Sequence, residues 1–165
     1  VGDVRIGFEI CEDAWVANRP GAELAERGVD IILNPSASHF AFGKHGVRQR
    51  FVLEGSRAFS VGYVYSNLVG NESGRAIYDG GALIAQAGRM LAAGPRFSYA
   101  DSAVTCATLD IDEIRMGRAR TGSFRPLIGD PNDNVVRSPF QFQKSSYVVE
   151  RPQPLPWEEI GRAHV

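Results

Sequence analysis

Apolar and polar residues alternate over residues 4–10 (VRIGFEI), a period of two that predicts a buried strand ending at Cys11. Residues 20–27 (PGAELAER) place proline where a helix starts, good helix formers inside, and Gly28 as the stop. Residues 29–33 form a short continuous apolar run, which predicts a strand covered on both faces and broken by Asn34-Pro35 into a loop reaching Lys44. From residue 45 to residue 61 the spacing becomes helical: Val47, Phe51, Ala58 and Val61 share one stripe, with Arg48, Arg50, Glu54 and Arg57 on the other faces. A third strand is predicted over residues 63–69, followed by a turn at Asn71-Glu72-Ser73-Gly74. Apolar runs at 82–85 and 90–93, separated by Gln86-Ala87-Gly88-Arg89, predict a hairpin. A last strand is predicted over 103–111, and Asp112-Glu113 opens a short helix to about Arg120, with its acidic residues at the positive end of the helix dipole.

Strands therefore alternate with helices early in the chain and pair through hairpins later. That order predicts an α/β domain over residues 1–125, with mixed sheets covered by helices and no internal repeat. Beyond Pro126 the character changes. The polar run from Gly129 to Asn134 and the prolines at 152, 154 and 156 predict an extended interdomain linker over 126–158, pointing to a further domain. Residues 159–165 (EIGRAHV preceded by Glu158) read as a translated sequencing adapter without fold information; the competing reading is a natural helix start after Pro156. Val1 stands directly before a strand-like run, so the chain is expected to be an interior piece of a longer reading frame.

Composition narrows the function classes. With 44% hydrophobic and 22% charged residues the chain can bury one core of moderate size. A net charge of -1 with both signs scattered offers no basic stripe for nucleic acid and no polybasic run for anionic lipid. No apolar run approaches the roughly 20 residues needed to cross a bilayer, and the cytoplasm is the expected compartment. Two cysteines, Cys11 and Cys106, are too few and too differently placed for a disulfide framework or a zinc site. Cys106 falls in the predicted last strand and reads as structural. His39, His45 and His164 lack the spacing of a metal site or a Cys-His pair and are expected on the surface or in loops, and no Gly-rich phosphate loop occurs. The sixteen arginines against two lysines, with abundant Ala and Gly, are the composition of a GC-rich bacterial gene.

The chemistry-bearing stretch is residues 7–15 (GFEICEDAW). A cysteine between a strand end and a helix start sits where a sharp turn exposes its sulfur and points backbone N–H groups at a developing oxyanion. Placement alone leaves two readings open: a nucleophile, or one more small buried apolar residue. Glu12 and Asp13 can equally be ordinary first-turn acids.

Residues 7–15 resemble the nucleophile segment of the nitrilase (carbon–nitrogen hydrolase) superfamily, and residues 30–38 (DIILNPSAS) resemble the strand and loop that follow it. Residues 39–44 (HFAFGK) resemble the NAD synthetase branch of that superfamily; residues 65–71 (YSNLVGN), 78–82 (YDGGA) and 94–97 (GPRF) continue the likeness over about 1–125. The resemblance implies the C-terminal part of an α-β-β-α sandwich with mixed sheets. It implies that Cys11 attacks the side-chain amide of glutamine, releasing ammonia and leaving a γ-glutamyl thioester that water cleaves. The Glu12 N–H would help hold the oxyanion and its carboxylate would meet the substrate's α-ammonium, while Ser38 and Trp15 would line the glutamine pocket. The plainer readings remain beside these: a hydroxyl after Asn-Pro that stabilises a turn, and an indole that only packs. The partners implied are glutamine and a downstream synthetase domain that uses ATP and Mg to make NAD from deamido-NAD, in a homo-oligomeric parent. No metal or cofactor is expected in this chain itself.

One departure matters. The superfamily's general base, a glutamate, and its lysine both lie upstream of the cysteine, whereas Lys44 and Lys144 are the only lysines here and neither is in the expected segment. The chain by itself is expected to be inactive, with an exposed hydrophobic seam. Two alternatives stay open: a stand-alone amidase or nitrilase, and a non-catalytic scaffold with the same fold.

Overall fold

The computed structural model describes residues 1–127 and 135–142. Its elements run β1 (Ile6–Phe8), a 3₁₀ turn (Cys11–Trp15), α1 (Pro20–Glu26), β2 (Ile31–Ser36), α2 (Lys44–Ala58), β3 (Gly62–Asn67), β4 (Val69–Glu72), β5 (Ala76–Asp79), β6 (Ala82–Gln86), β7 (Arg89–Ala93) and α3 (Ile111–Arg120). Five strands form one mixed sheet in the order β1-β2-β3-β6-β7, and β4 and β5 form a separate hairpin. The first three strands are parallel, joined by the crossovers that carry α1 and α2; β6 and β7 continue antiparallel. The mixed α/β architecture read from the pattern is the one observed.

The core lies under the helices. Val29, Ile32, Val52, Val61, Tyr63, Tyr65, Leu83 and Ala85 form one buried cluster, with Leu24, Phe51, Leu53, Phe59 and Met90 packed against it. Gly7 lets α1 approach β1, since a Cβ there would meet Leu24 Cδ2 at 2.9 Å.

Several elements differ from the pattern. β1 is shorter than residues 4–10, and its burial is inverted: Gly7 and Glu9 face inward, while Ile6, Phe8 and Ile10 are exposed. β2 runs through Asn34-Pro35 rather than stopping before it. The Leu33 carbonyl accepts from the Glu9 N–H at 3.1 Å, so by strand alternation the Pro35 nitrogen also turns to that side, where β1 has already ended at Phe8. No ladder bond is lost there. α2 stops at Ala58, because Phe59 and Ser60 turn the chain and Ser60 takes a φ of 50°. The run 63–69 is two strands, with Leu68 between them, and Asn71 and Glu72 belong to β4 rather than to the turn.

Residues 103–110 form no strand despite their alternation. They cross near the sheet, with Leu109 packed over Gly62 and Thr105 against Gly94, and they find no ladder partner. Cys106 is consequently exposed rather than structural. α3 follows with Asp110 as its N-cap, accepting the Glu113 N–H at 2.9 Å. Arg115 binds Asp30 at 2.8 Å, and Arg118 donates to the carbonyls of Val29 and Ser60, which locks α3 to the start of β2. Within the predicted linker, residues 135–142 are exposed, and the Ser138 carbonyl accepts the Gly2 N–H at 2.9 Å. Residues 128–134 and 143–165, with the rest of that linker, Lys144, His164 and the 159–165 tail, lie outside the described residues. No helix among the described residues is long and apolar enough to cross a membrane.

Candidate active site around Cys11

Cys11 opens the 3₁₀ turn with a φ of 50°, in the left-handed region that residues other than glycine seldom occupy. The turn is closed by Asp13, whose carboxylate accepts the Ile10 N–H at 2.7 Å while its own N–H donates to the Ile10 carbonyl at 3.1 Å. The strand end and the turn together hold the half-buried Cys11 thiol at the carboxyl end of the parallel strands, where open α/β sheets place their ligands.

Lys44 is the first residue of α2, one β-α unit beyond Cys11 in the sequence. Its ammonium lies 5.4 Å from the centre of the Trp15 ring and within electrostatic reach of Cys11. Partial burial and the Arg48 charge hold Lys44 below its ordinary range. Trp15 packs edge-on against Phe51 at 5.2 Å, and Phe51 against Tyr65 at 5.7 Å. Burial pushes the Tyr65 phenol up, and Arg48, Asp79 and Cys11 all lie within electrostatic reach of it.

Ser38 is buried just past β2, in a polar cluster. Its N–H donates to Asn67 Oδ1 at 2.8 Å, and its carbonyl accepts from Asn67 Nδ2 at 3.0 Å and from Arg48 at 2.8 Å. Arg48 also donates to Ser38 Oγ at 3.2 Å and is anchored on Asp79 at 2.8 Å. Arg96 binds the other Asp79 oxygen at 2.7 Å. Burial works against the Asp79 carboxylate, but the hydrogen bonds from Arg48 and Arg96 outweigh it and hold its carboxyl below the usual range. A carboxyl depressed in the folded state contributes stability above its unfolded pKa, about 3.9, and loses it as pH falls through the folded value. Asp79→Asn is therefore expected to flatten the acid limb of a stability profile taken from about pH 5 downwards, and an unchanged slope in chemical denaturation would contradict this.

A second cluster braces the strand that leads into Cys11. Glu9, fully buried, accepts from Arg19 at 2.7 Å, from the Tyr63 hydroxyl at 2.5 Å and from the Gly21 N–H at 2.7 Å. The Arg19 guanidinium sits 5.0 Å from the Phe59 ring and 5.5 Å from the Tyr63 ring.

Of the residues singled out in the sequence, Cys11 and Trp15 share the turn, Ser38 stands in the cluster bound to the same helix as Lys44, and Glu12 is exposed. His39 is exposed, whereas His45 is partly buried on α2; burial and the charges of Arg96 and Arg48 lower its pKa. Sequence pattern assigns no role to Arg48, Asn67, Asp79, Glu9 or Arg19, and sets Lys44 aside as lying outside the expected segment. The one local signal was a charged residue on a strand position flanked by apolar ones, as at Glu9.

The family model described as carbon-nitrogen hydrolase matches residues 1–119. The chain is 37% identical over 121 residues to the glutamine-dependent NAD(+) synthetase of Homo sapiens, covering 73% of this chain and 17% of that protein. A solved glutamine-dependent NAD(+) synthetase from Cytophaga hutchinsonii superposes with a TM-score of 0.54 at 50% identity, over 61% of this chain and 16% of that one. One from Acinetobacter baumannii, in complex with ADP, gives 0.52 at 29% identity over 56% and 18%. The chain spans about a quarter or less of the length of the curated relatives it matches.

Proposed function

Since the chain belongs to the carbon–nitrogen hydrolase family, we propose that Cys11 is the nucleophile of a glutamine amidase whose ammonia feeds NAD synthesis in a longer polypeptide. The observation that carries this reading is the Cys11 turn: a strained cysteine opening a 3₁₀ turn after β1, with Trp15 in the same turn and the Lys44 ammonium over the Trp15 ring. In the reaction, the Cys11 sulfur forms a bond to the side-chain amide carbon of glutamine. The carbon–nitrogen bond breaks, and the nitrogen leaves as ammonia with the thiol's proton. Water then cleaves the γ-glutamyl thioester, giving glutamate and restoring the thiol.

The Glu12 N–H stands at the turn to receive the oxyanion, and Trp15 and Ser38 line the glutamine pocket. Lys44 supplies a cation over the Trp15 ring, suited to the carboxylate of an amino-acid substrate. Glu9 and Asp13 are already engaged by Arg19, Tyr63 and the Ile10 N–H, so neither is free to take the thiol proton. The base and a second cation come from the segment that the family resemblance sets before the cysteine. ATP and Mg serve the synthetase part, outside this chain. The whole polypeptide works as a homo-oligomer in the cytoplasm, where Cys11 stays a thiol.

The test is ammonia release from glutamine by the complete reading frame, with peptide mass spectrometry after treatment with the glutamine mimic 6-diazo-5-oxo-L-norleucine. Ammonia release and an adduct on Cys11 are expected, and the 165-residue chain alone is expected to release none. Hydrolysis of small aliphatic amides with glutamine untouched turns the reading to a stand-alone amidase. Hydrolysis of neither, with Cys11 unlabelled, leaves a scaffold.

A further inference from the structure

Ser38 follows Pro35 in a segment with no regular structure, between β2 and the start of α2. A residue placed that way needs something other than a ladder to hold it. The buried guanidinium of Arg48 meets that need. One of its terminal nitrogens, Nη1, reaches both oxygens of Asp79, at 2.8 and 2.9 Å, and the other, Nη2, reaches the Ser38 carbonyl at 2.8 Å, Ser38 Oγ at 3.2 Å and the His39 carbonyl at 3.2 Å. Asn67 closes the ring, binding the Ser38 N–H and carbonyl and reaching Asp79 Oδ1 at 3.3 Å. Arg48 and Lys44 are one helical turn apart on α2, so the helix that anchors Ser38 also sets Lys44 over Trp15 in the Cys11 turn.

We propose that Arg48, held by Asp79, is a positioning residue that fixes the Ser38 backbone and hydroxyl for substrate. Because Arg48 donates to Ser38 Oγ, the lone pair on that side is occupied, and the hydroxyl proton is left to donate elsewhere. Only a planar fork spans Asp79 and two carbonyls at once; a lysine at this position keeps the charge but reaches one side at a time. The link to substrate rests on the glutaminase reading above. The clamp itself does not.

Arg48→Ala risks misfolding, so the informative variants are Arg48→Lys and Asp79→Asn in the complete polypeptide. Two measurements are taken: hydrogen exchange of the peptide covering residues 37–42, and steady-state glutamine hydrolysis. Both variants are expected to speed exchange in 37–42 by about tenfold or more while the β3 amides keep their protection. They are expected to raise KM for glutamine by about tenfold, with kcat within about threefold of the unsubstituted protein and the Cys11 rate with iodoacetamide unchanged. Faster exchange in a protein that never hydrolyses glutamine sustains the clamp and removes the glutaminase reading. Unchanged exchange in both variants overturns the proposal. So does a fall in kcat, iodoacetamide rate and β3 protection together, which is the mark of general loosening.

Discussion

Exchanging the Cys11 sulfur for oxygen, in Cys11→Ser, is expected to lower glutamine hydrolysis by the complete polypeptide by about 10⁴-fold or more. A serine hydroxyl at this turn has neither the ready ionisation nor the polarisability of a thiol, and the carboxylates of Glu9 and Asp13 are already engaged by Arg19, Tyr63 and the Ile10 N–H. The backbone supplies a second, independent arm. With φ at 50°, Cys11 carries a left-handed conformation that costs an L-residue roughly 1–2 kcal/mol and a glycine nothing. Cys11→Gly should therefore be as inactive as the serine variant, yet no less stable than the parent in urea. Strain retained at a functional cysteine and released by an inactivating change is the signature expected of a site selected for reactivity. Residual hydrolysis within tenfold of the parent in Cys11→Ser would remove the residue from the reaction; a clear loss of stability in Cys11→Gly would remove the strain.

Glu9→Gln is expected to destabilise the 165-residue chain by about 3–5 kcal/mol, although it changes neither size nor shape. The carboxylate is fully buried and accepts from Arg19 Nε at 3.3 Å, Arg19 Nη2 at 2.7 Å, Tyr63 and Gly21. The amide removes the anion and turns two N–H donors toward groups that are themselves donors. Arg19 keeps the Phe51 carbonyl at 3.3 Å, the Tyr63 hydroxyl at 3.1 Å and the faces of Phe51, Phe59 and Tyr63, neutral partners that offset only part of the charge. With urea slopes of about 1–3 kcal/mol/M, the midpoint should fall by about 1–5 M. A shift below about 0.3 M would mean that the cluster contributes little and that the core alone holds β1.

Local pattern made much of the scaffold legible. Pro20 and Gly28 bound α1 because one lacks the N–H a helix start can spare and the other tolerates a φ of 76°. The β6-β7 hairpin follows from two apolar runs around Ala87-Gly88, both at positive φ. What misled the reading were residues whose partners lie far along the chain. Arg48 looks like a solvated face of α2 and is among the largest fully buried side chains, since its neutralising carboxylate comes from Asp79 on β5. Lys44 looks misplaced for a role beside a nucleophile until β2 and α2 return the chain to the Cys11 turn.

From the sequence alone came the order of β1, α1, β2, α2 and β3, the β6-β7 hairpin, the turn that presents Cys11, and the motifs that carry the family resemblance, because each depends on neighbours within a few residues. Tertiary structure decided the rest. It inverted β1, so that Glu9 faces in and Ile6 and Phe8 face out; it left residues 103–110 without a ladder; and it made Arg48, Asp79, Asn67 and Ser38 one buried cluster. Those outcomes turn on desolvation, and whether a charge can be buried depends on a counter-charge that no local window contains.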